Sequence, residues 1–239
     1  MIVPVIKLST TPKLDYVPRL VDANRAYRVA APAVDLSTKA VWWTGGVVLD
    51  QGQEGSCVGH GVVGEWLASP VRGRPIREDR PGPYFAEAGH EEAVAVYNRA
   101  KEIDEFEGVA YDGTSVRAGM LVGRERGWYS GFNWAFNMTE LRAALQDGPV
   151  VIGIDVREAM FSTAPNGDWF PNGPSVGGHC CLVTGYSPNY SGRGPRYRIR
   201  NSWGLDWGKG GNAYIAPDAL DRILFQSGGE AAVPVGRKA

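Results

Sequence analysis

Gln51-Gly52-Gln53-Glu54-Gly55-Ser56-Cys57 sets a glutamine six residues before a cysteine across a glycine-rich turn, and the chain then changes character. Val58, Val62, Val63, Trp66 and Leu67 recur at helical spacing until Pro70. The pattern predicts a helix with Cys57 at its first turn. There a thiol faces unpaired backbone N–H groups and the positive end of the helix dipole, and both favour thiolate. The turn can bring the Gln51 amide back beside that sulfur, as a donor to an oxyanion.

Two later segments carry groups that complement a thiol nucleophile. Gly177-Gly178-His179 opens an apolar run, and Arg200-Asn201-Ser202-Trp203-Gly204 supplies an amide and an indole. A nucleophilic cysteine needs a base, and the chain has three histidines. His60 lies on the face of the nucleophile's own helix and is read as packing or surface. His90 follows Gly89 in a charged stretch and is read as solvated surface. His179 begins a strand able to aim a rigid imidazole across a cleft, which makes it the candidate base. The Asn201 carbonyl can accept the second imidazole N–H and fix the ring. A metal site from Cys57, His60, His179 and Cys180 has suitable ligand types, but strand alternation sends His179 and Cys180 to opposite faces.

The order Cys, His, Asn, with the latter two roughly 120 and 145 residues after the cysteine, resembles the papain-like cysteine peptidases. Asn201-Ser202-Trp203-Gly204 is among that family's most specific strings, and Gly185-Tyr186 follows His179 at the family's distance. The resemblance implies that Gln51 and the Cys57 N–H bind the oxyanion, and that Trp203 covers the Asn201–His179 bond. Residues 111–117 look like the D-G-x-S-x-R variant of bacterial and phage relatives. Gly113 is then implied to offer backbone hydrogen bonds to an extended peptide. Gly55 and Trp203 are implied to contact substrate. A pocket for the side chain two residues before the scissile bond is implied among Gly153, Gly177, Gly178, Cys180 and Thr114. Small walls without fixed charge suggest bulky apolar side chains. Val58 and Asn212 depart from the family's aromatics at their positions.

The 239 residues, 44% of them hydrophobic, suit one domain or two subdomains around a cleft. A net charge of -1 without like-charge blocks argues against nucleic acid and anionic membranes as partners. Apolar runs fall short of the ~20 residues of a membrane span, and the N-terminus lacks the features of a secretory signal. Three cysteines make no disulfide framework. Glu54 stands where secreted relatives carry a bonded cysteine, so a reducing, cytoplasmic setting is expected, with association with a phage particle as an alternative.

The first half is expected to be mostly helical, over 58–67, 91–102 and 115–125, with loop at 72–82. A helix at 141–146 is followed by strands at 150–156, 178–186, 197–201 and 212–215. This predicts an α+β papain-like fold with a helical lobe over about 50–130 and a β lobe over about 145–225. Residues 1–31 are expected to be an irregular leader, too short to act as an inhibitory prosegment, and 226–239 a tail. The expected activity is a cysteine endopeptidase acting on protein or peptide substrates through a thioester, with no cofactor and no metal. Acyl transfer or non-peptide amide hydrolysis by the same residues, or a catalytically silent binding module, are the alternatives.

Overall fold

The computed structural model describes residues 6–7, 11–18, 26–43, 47–68, 83–106 and 112–237. The loop expected at 72–82 lies outside them. Two short strands, β1 (Ile6–Lys7) and β2 (Val41–Trp42), precede three helices, α1 (Cys57–Leu67), α2 (Pro83–Ile103) and α3 (Val116–Glu125). Then come β3 (Tyr129–Trp134), α4 (Met138–Ala144), β4 (Val150–Arg157), β5 (Ser162–Thr163) and β6 (Ser175–Ser187). The chain continues through β7 (Arg196–Arg200), β8 (Asn212–Ile215), α5 (Pro217–Leu224) and β9 (Glu230–Arg237).

Local chemistry sets the helix boundaries. Ser115 caps α3 by accepting the Ala118 N–H, and Asn137 caps α4 by accepting from Thr139 and Glu140. Pro217 sits in the first turn of α5, where its missing N–H has no helical partner to lose. Helix α2 starts eight residues earlier than the periodicity indicated, again at a proline.

The main sheet among the described residues is antiparallel, in the order β3-β9-β4-β6-β7-β8, with β2 also paired to β6. Strand alternation separates two cores. Val150, Ile152, Ile154 and Val156 face Leu141, Leu220 and Leu224 on one side. Val151, Cys180 and Leu182 face Val58, Val62, Val96 and Met120 on the other. Cys180 and Cys181 therefore point to opposite faces, and all three cysteines are free.

Helix α1 is drawn tightly between α2 and the sheet. A Cβ on Gly59 would lie 2.0 Å from the Ala93 carbonyl oxygen, and one on Gly61 would lie 2.6 Å from the Cys180 sulfur. These close approaches seat Cys57 against the strand that carries His179.

Three stretches differ from the sequence expectations. Residues 129–134, at the end of the expected helical lobe and given no element, form β3. The expected tail contains β9, which lies between β3 and β4 inside the sheet. Its run of small residues, Ala231-Ala232, gave little strand signal. The expected irregular leader is bound to the body: β1 pairs with β5, Val29 donates its N–H to the Trp134 carbonyl, and residues 13–17 cross the cleft.

Candidate active site

The glycine turn before α1 returns on itself, with the Glu54 N–H donating to the Gln51 carbonyl at 3.1 Å. Gln51 is fixed at both ends of its amide. Its Oε1 accepts from Ser202 Oγ at 2.8 Å, and its Nε2 donates to the carbonyls of Glu54 (2.9 Å) and Lys13 (3.1 Å). Backbone pairing repeats the link, since the Gln51 N–H donates to the Ser202 carbonyl at 2.9 Å. Ser202 received no role from the sequence, although it lies within the quoted Asn-Ser-Trp-Gly string. It locks the orientation of the Gln51 amide.

His179 on β6 and Asn201, just after β7, meet across adjacent strands, with Nε2 and Oδ1 2.7 Å apart. Oδ1 also accepts the Ser202 N–H at 2.8 Å, so the carbonyl end of the amide is held toward the imidazole. The Trp203 ring lies 4.7 Å from the His179 ring and packs against Phe161 and Trp207 on its other sides. The structure thus brings Trp203 over the Asn201–His179 pair.

Cys57 is fully buried and lies against the same strand. No hydrogen bond joins its sulfur to His179, whose Nδ1 is buried without a hydrogen-bond partner. Burial pushes the thiol up to about 11, partly offset by backbone N–H groups of Cys180, Asp15 and Val58 aimed at the sulfur. Burial likewise pushes His179 down to about 4, with the Asn201 hydrogen bond opposing it. In this state the pair is a neutral thiol and a neutral imidazole. The thiolate-favouring turn expected from the helix dipole is outweighed by dehydration.

Residues 13–17 form a strap laid across the cleft, and the Asp15 backbone N–H reaches the Cys57 sulfur. The Tyr16 N–H donates to the Gly178 carbonyl, the Val17 N–H to the Thr114 carbonyl, and the Thr114 N–H to the Asp15 carbonyl, each at 3.1 Å. A Cβ on Gly178 would stand 2.1 Å from the Tyr16 carbonyl oxygen, and one on Gly55 would stand 1.4 Å from the Asp15 carboxylate. Only glycine at these positions leaves room for the strap. Lys13 is tied to Asp112 at 2.6 Å. These contacts place part of the expected irregular leader across the cleft. Residues 11–18 have no periodicity, and their backbone partners Thr114 and Gly178 lie far along the chain, so nothing local announced them.

Two expectations about the groove change as well. The backbone pairing falls to Thr114, because the Gly113 N–H is taken by the Tyr97 phenol at 3.2 Å. The Thr114 hydroxyl turns away to Asp104, so its side chain is no pocket wall. The pocket at Gly153, Gly178 and Cys180 holds the Tyr16 ring. It also has a charged neighbour: Glu230 on β9, paired with Gly153 in register, is buried against the phenol. Burial first, and then the Glu230 charge, hold the phenol proton in place. The pocket is therefore acidic at one end rather than free of charge. Tyr111, the first residue of the quoted variant segment, lies outside the described residues.

His60 packs inside, one of its two readings, and His90, read as surface, keeps 38% of its side chain exposed. His60 is buried, and its Nε2 lies 3.0 Å from His90 Nδ1, so the two imidazoles form a pair behind the turn. Among the described residues no group of three or more His, Cys, Asp or Glu side chains is placed to hold a metal ion. Among them, too, no helix is long and apolar enough to cross a membrane.

Comparison with known proteins fits this geometry. Residues 89–223, more than half of the chain, match the model of the papain family of cysteine proteases, a span that includes His179 and Asn201. The chain belongs to that family. Cysteine proteinase 3 of Entamoeba histolytica is 31% identical over 77 residues, which is 31% of this chain and about a quarter, 24%, of that protein's length. In three dimensions the chain is similar to xylellain, a cysteine protease from Xylella fastidiosa, with a TM-score of 0.65 and 18% identity over 97% of this chain and 99% of that one. It is also similar to digestive procathepsin L 3 of Tenebrio molitor, with a TM-score of 0.58 and 18% identity over 87% and 73% of the two chains. These likenesses establish the papain-like α+β fold.

Proposed function

We propose that the chain is a cysteine endopeptidase in which Cys57 is the nucleophile, His179 the base and Asn201 the residue that orients it. The observation that carries this reading is the strap. The cleft holds an extended piece of polypeptide by its backbone, and the Gln51 amide donates to one of its peptide carbonyls. A site so built takes peptides.

In the reaction, His179 accepts the Cys57 proton as the sulfur attacks the scissile carbonyl carbon. The carbonyl oxygen becomes an oxyanion facing Gln51 Nε2 and the Cys57 N–H, where one such donor is worth ~2.7–4 kcal/mol in the transition state. Collapse expels the amine, which takes the proton from His179, and leaves a thioester. Water then gives a proton to His179 and attacks the thioester, releasing the acid and regenerating the thiol. The three free cysteines suit a reducing compartment. Because the strap holds the Gln51 donor, it must leave before a substrate binds. Cleavage profiling with a peptide library tests the reading. Turnover by the native chain and none by Cys57→Ala is expected, and equal turnover by the two would overturn it.

A further inference from the structure

His60 lies one turn into α1, and its Nδ1 stands 2.9 Å from the Ser56 carbonyl oxygen and 3.1 Å from Ser56 Oγ. A carbonyl only accepts, so His60 Nδ1 carries the hydrogen. Burial pushes His60 down to about 4, so the ring is neutral and its Nε2 is a lone pair. The hydrogen between the two imidazoles then belongs to His90 Nδ1, on α2. The chain of donors runs one way, from His90 to His60 to the Ser56 carbonyl. The Ser56 carbonyl also accepts the His60 backbone N–H at 3.0 Å.

Ser56 C=O and Cys57 N–H are the two ends of one peptide group. Hydrogen bonds accepted at the carbonyl polarise that group and strengthen its N–H as a donor. Glu54 lies in the same turn, where its carbonyl takes a hydrogen bond from Gln51 Nε2. The imidazole pair thus reaches the peptide unit that carries the Cys57 N–H donor. The covering role of a buried leucine would not need the tautomer order.

We propose that His60 and His90 are positioning residues for the Cys57 N–H oxyanion donor, acting through the Ser56–Cys57 peptide. The proposal rests on the Cys57 N–H being that donor.

The test compares the full chain with His60→Leu, His60→Asn and His90→Leu, using peptide hydrolysis, affinity for a peptide aldehyde and alkylation of Cys57 by iodoacetamide. A weakened donor costs less than a deleted one, so His60→Leu should lower kcat about tenfold with KM unchanged. Aldehyde affinity should fall by the same factor, because its adduct places an oxygen at the same donor, while alkylation, which forms no oxyanion, should keep its rate. His60→Asn can still donate to the Ser56 carbonyl and should recover most of kcat, and His90→Leu should lose less than His60→Leu. An unchanged kcat in His60→Leu, alkylation falling in step with kcat, or no recovery in His60→Asn would each overturn the proposal. If His60→Leu does not fold, the other two variants decide: His60→Asn near native with His90→Leu reduced in kcat alone supports it, and His90→Leu at native kcat refutes it. A native chain that neither cleaves peptide nor binds aldehyde would refute the peptidase reading, and this proposal with it. A native chain that does both, beside unaffected variants, refutes the positioning role alone.

Discussion

Gln51 Nε2 and the Lys13 carbonyl oxygen are 3.1 Å apart, so the donor proposed for the oxyanion is already bonded to the chain's own backbone. Tyr16, 4% exposed, is the strap's main apolar anchor. Tyr16→Ala should loosen the strap and raise kcat/KM by about tenfold or more, since truncating a large buried ring typically costs ~3–5 kcal/mol of local binding. Intact-mass analysis should show that the gain needs no clipping. An unchanged or lower rate in a folded variant would show that the strap is no obstacle.

Thiol chemistry should follow the same switch. With burial pushing Cys57 up to about 11, iodoacetamide at neutral pH should label the native chain slowly and Tyr16→Ala faster at Cys57. Cys180 and Cys181, both pushed up by burial, should stay unlabelled in each. Peptide mapping reads the outcome, and faster labelling at Cys180 would contradict the assignment.

Substitutions at the proposed machinery should separate by role. Cys57→Ala and His179→Ala should abolish turnover, and Asn201→Ala should leave a measurable remainder because orientation contributes less than bond making. Gln51→Ala should lower kcat by roughly 10²–10³. Ser202→Ala, which frees the Gln51 amide to turn, should fall between Gln51→Ala and the native rate. Full activity in Gln51→Ala would move the oxyanion site elsewhere.

Acid should destabilise the closed fold through its buried imidazoles. His60 and His179 are both pushed down by burial to about 4 from an ordinary 6.5. Between these values the unfolded chain binds more protons than the folded one, so stability falls as pH drops through that window and is fully present above it. Melting temperature against pH should decline from about 6.5 toward 4, and His60→Asn should flatten the decline. A melting curve indifferent to pH there would contradict the neutral state of both rings.

The pocket around Tyr16 should select for a hydroxyl as well as for size. Among peptides varied at the residue that fills it, tyrosine should outrun leucine and phenylalanine, and Glu230→Leu should reverse the order. Equal rates for tyrosine and phenylalanine with native Glu230 would remove Glu230 from the recognition.

Much of the architecture is written in short-range pattern. The helical spacing after Cys57 and the apolar runs at 150–156 and 178–186 each name their own element, and Asn201-Ser202-Trp203-Gly204 packs its neighbours into one string. What stayed hidden depends on distant partners. The strap has no periodicity of its own and is placed by Thr114, Gly178 and Gln51. His60 acquires its meaning from His90, thirty residues on, across a helix pair. Glu230 enters the pocket because β9 inserts beside β4, and its small residues carry weak strand preference.

That insertion orders events in time. Strand β9 is the neighbour of both β3 and β4, and the sheet order leaves those two apart without it. A chain emerging from the ribosome would carry Cys57, His179 and Asn201 well before residues 230–237 arrive to close the sheet and bring Glu230 to the Tyr16 pocket. The strap, by contrast, precedes Cys57 in the chain by some 40 residues. Synthesis order therefore puts the cleft's occupant ahead of the cleft itself, and Glu230 last.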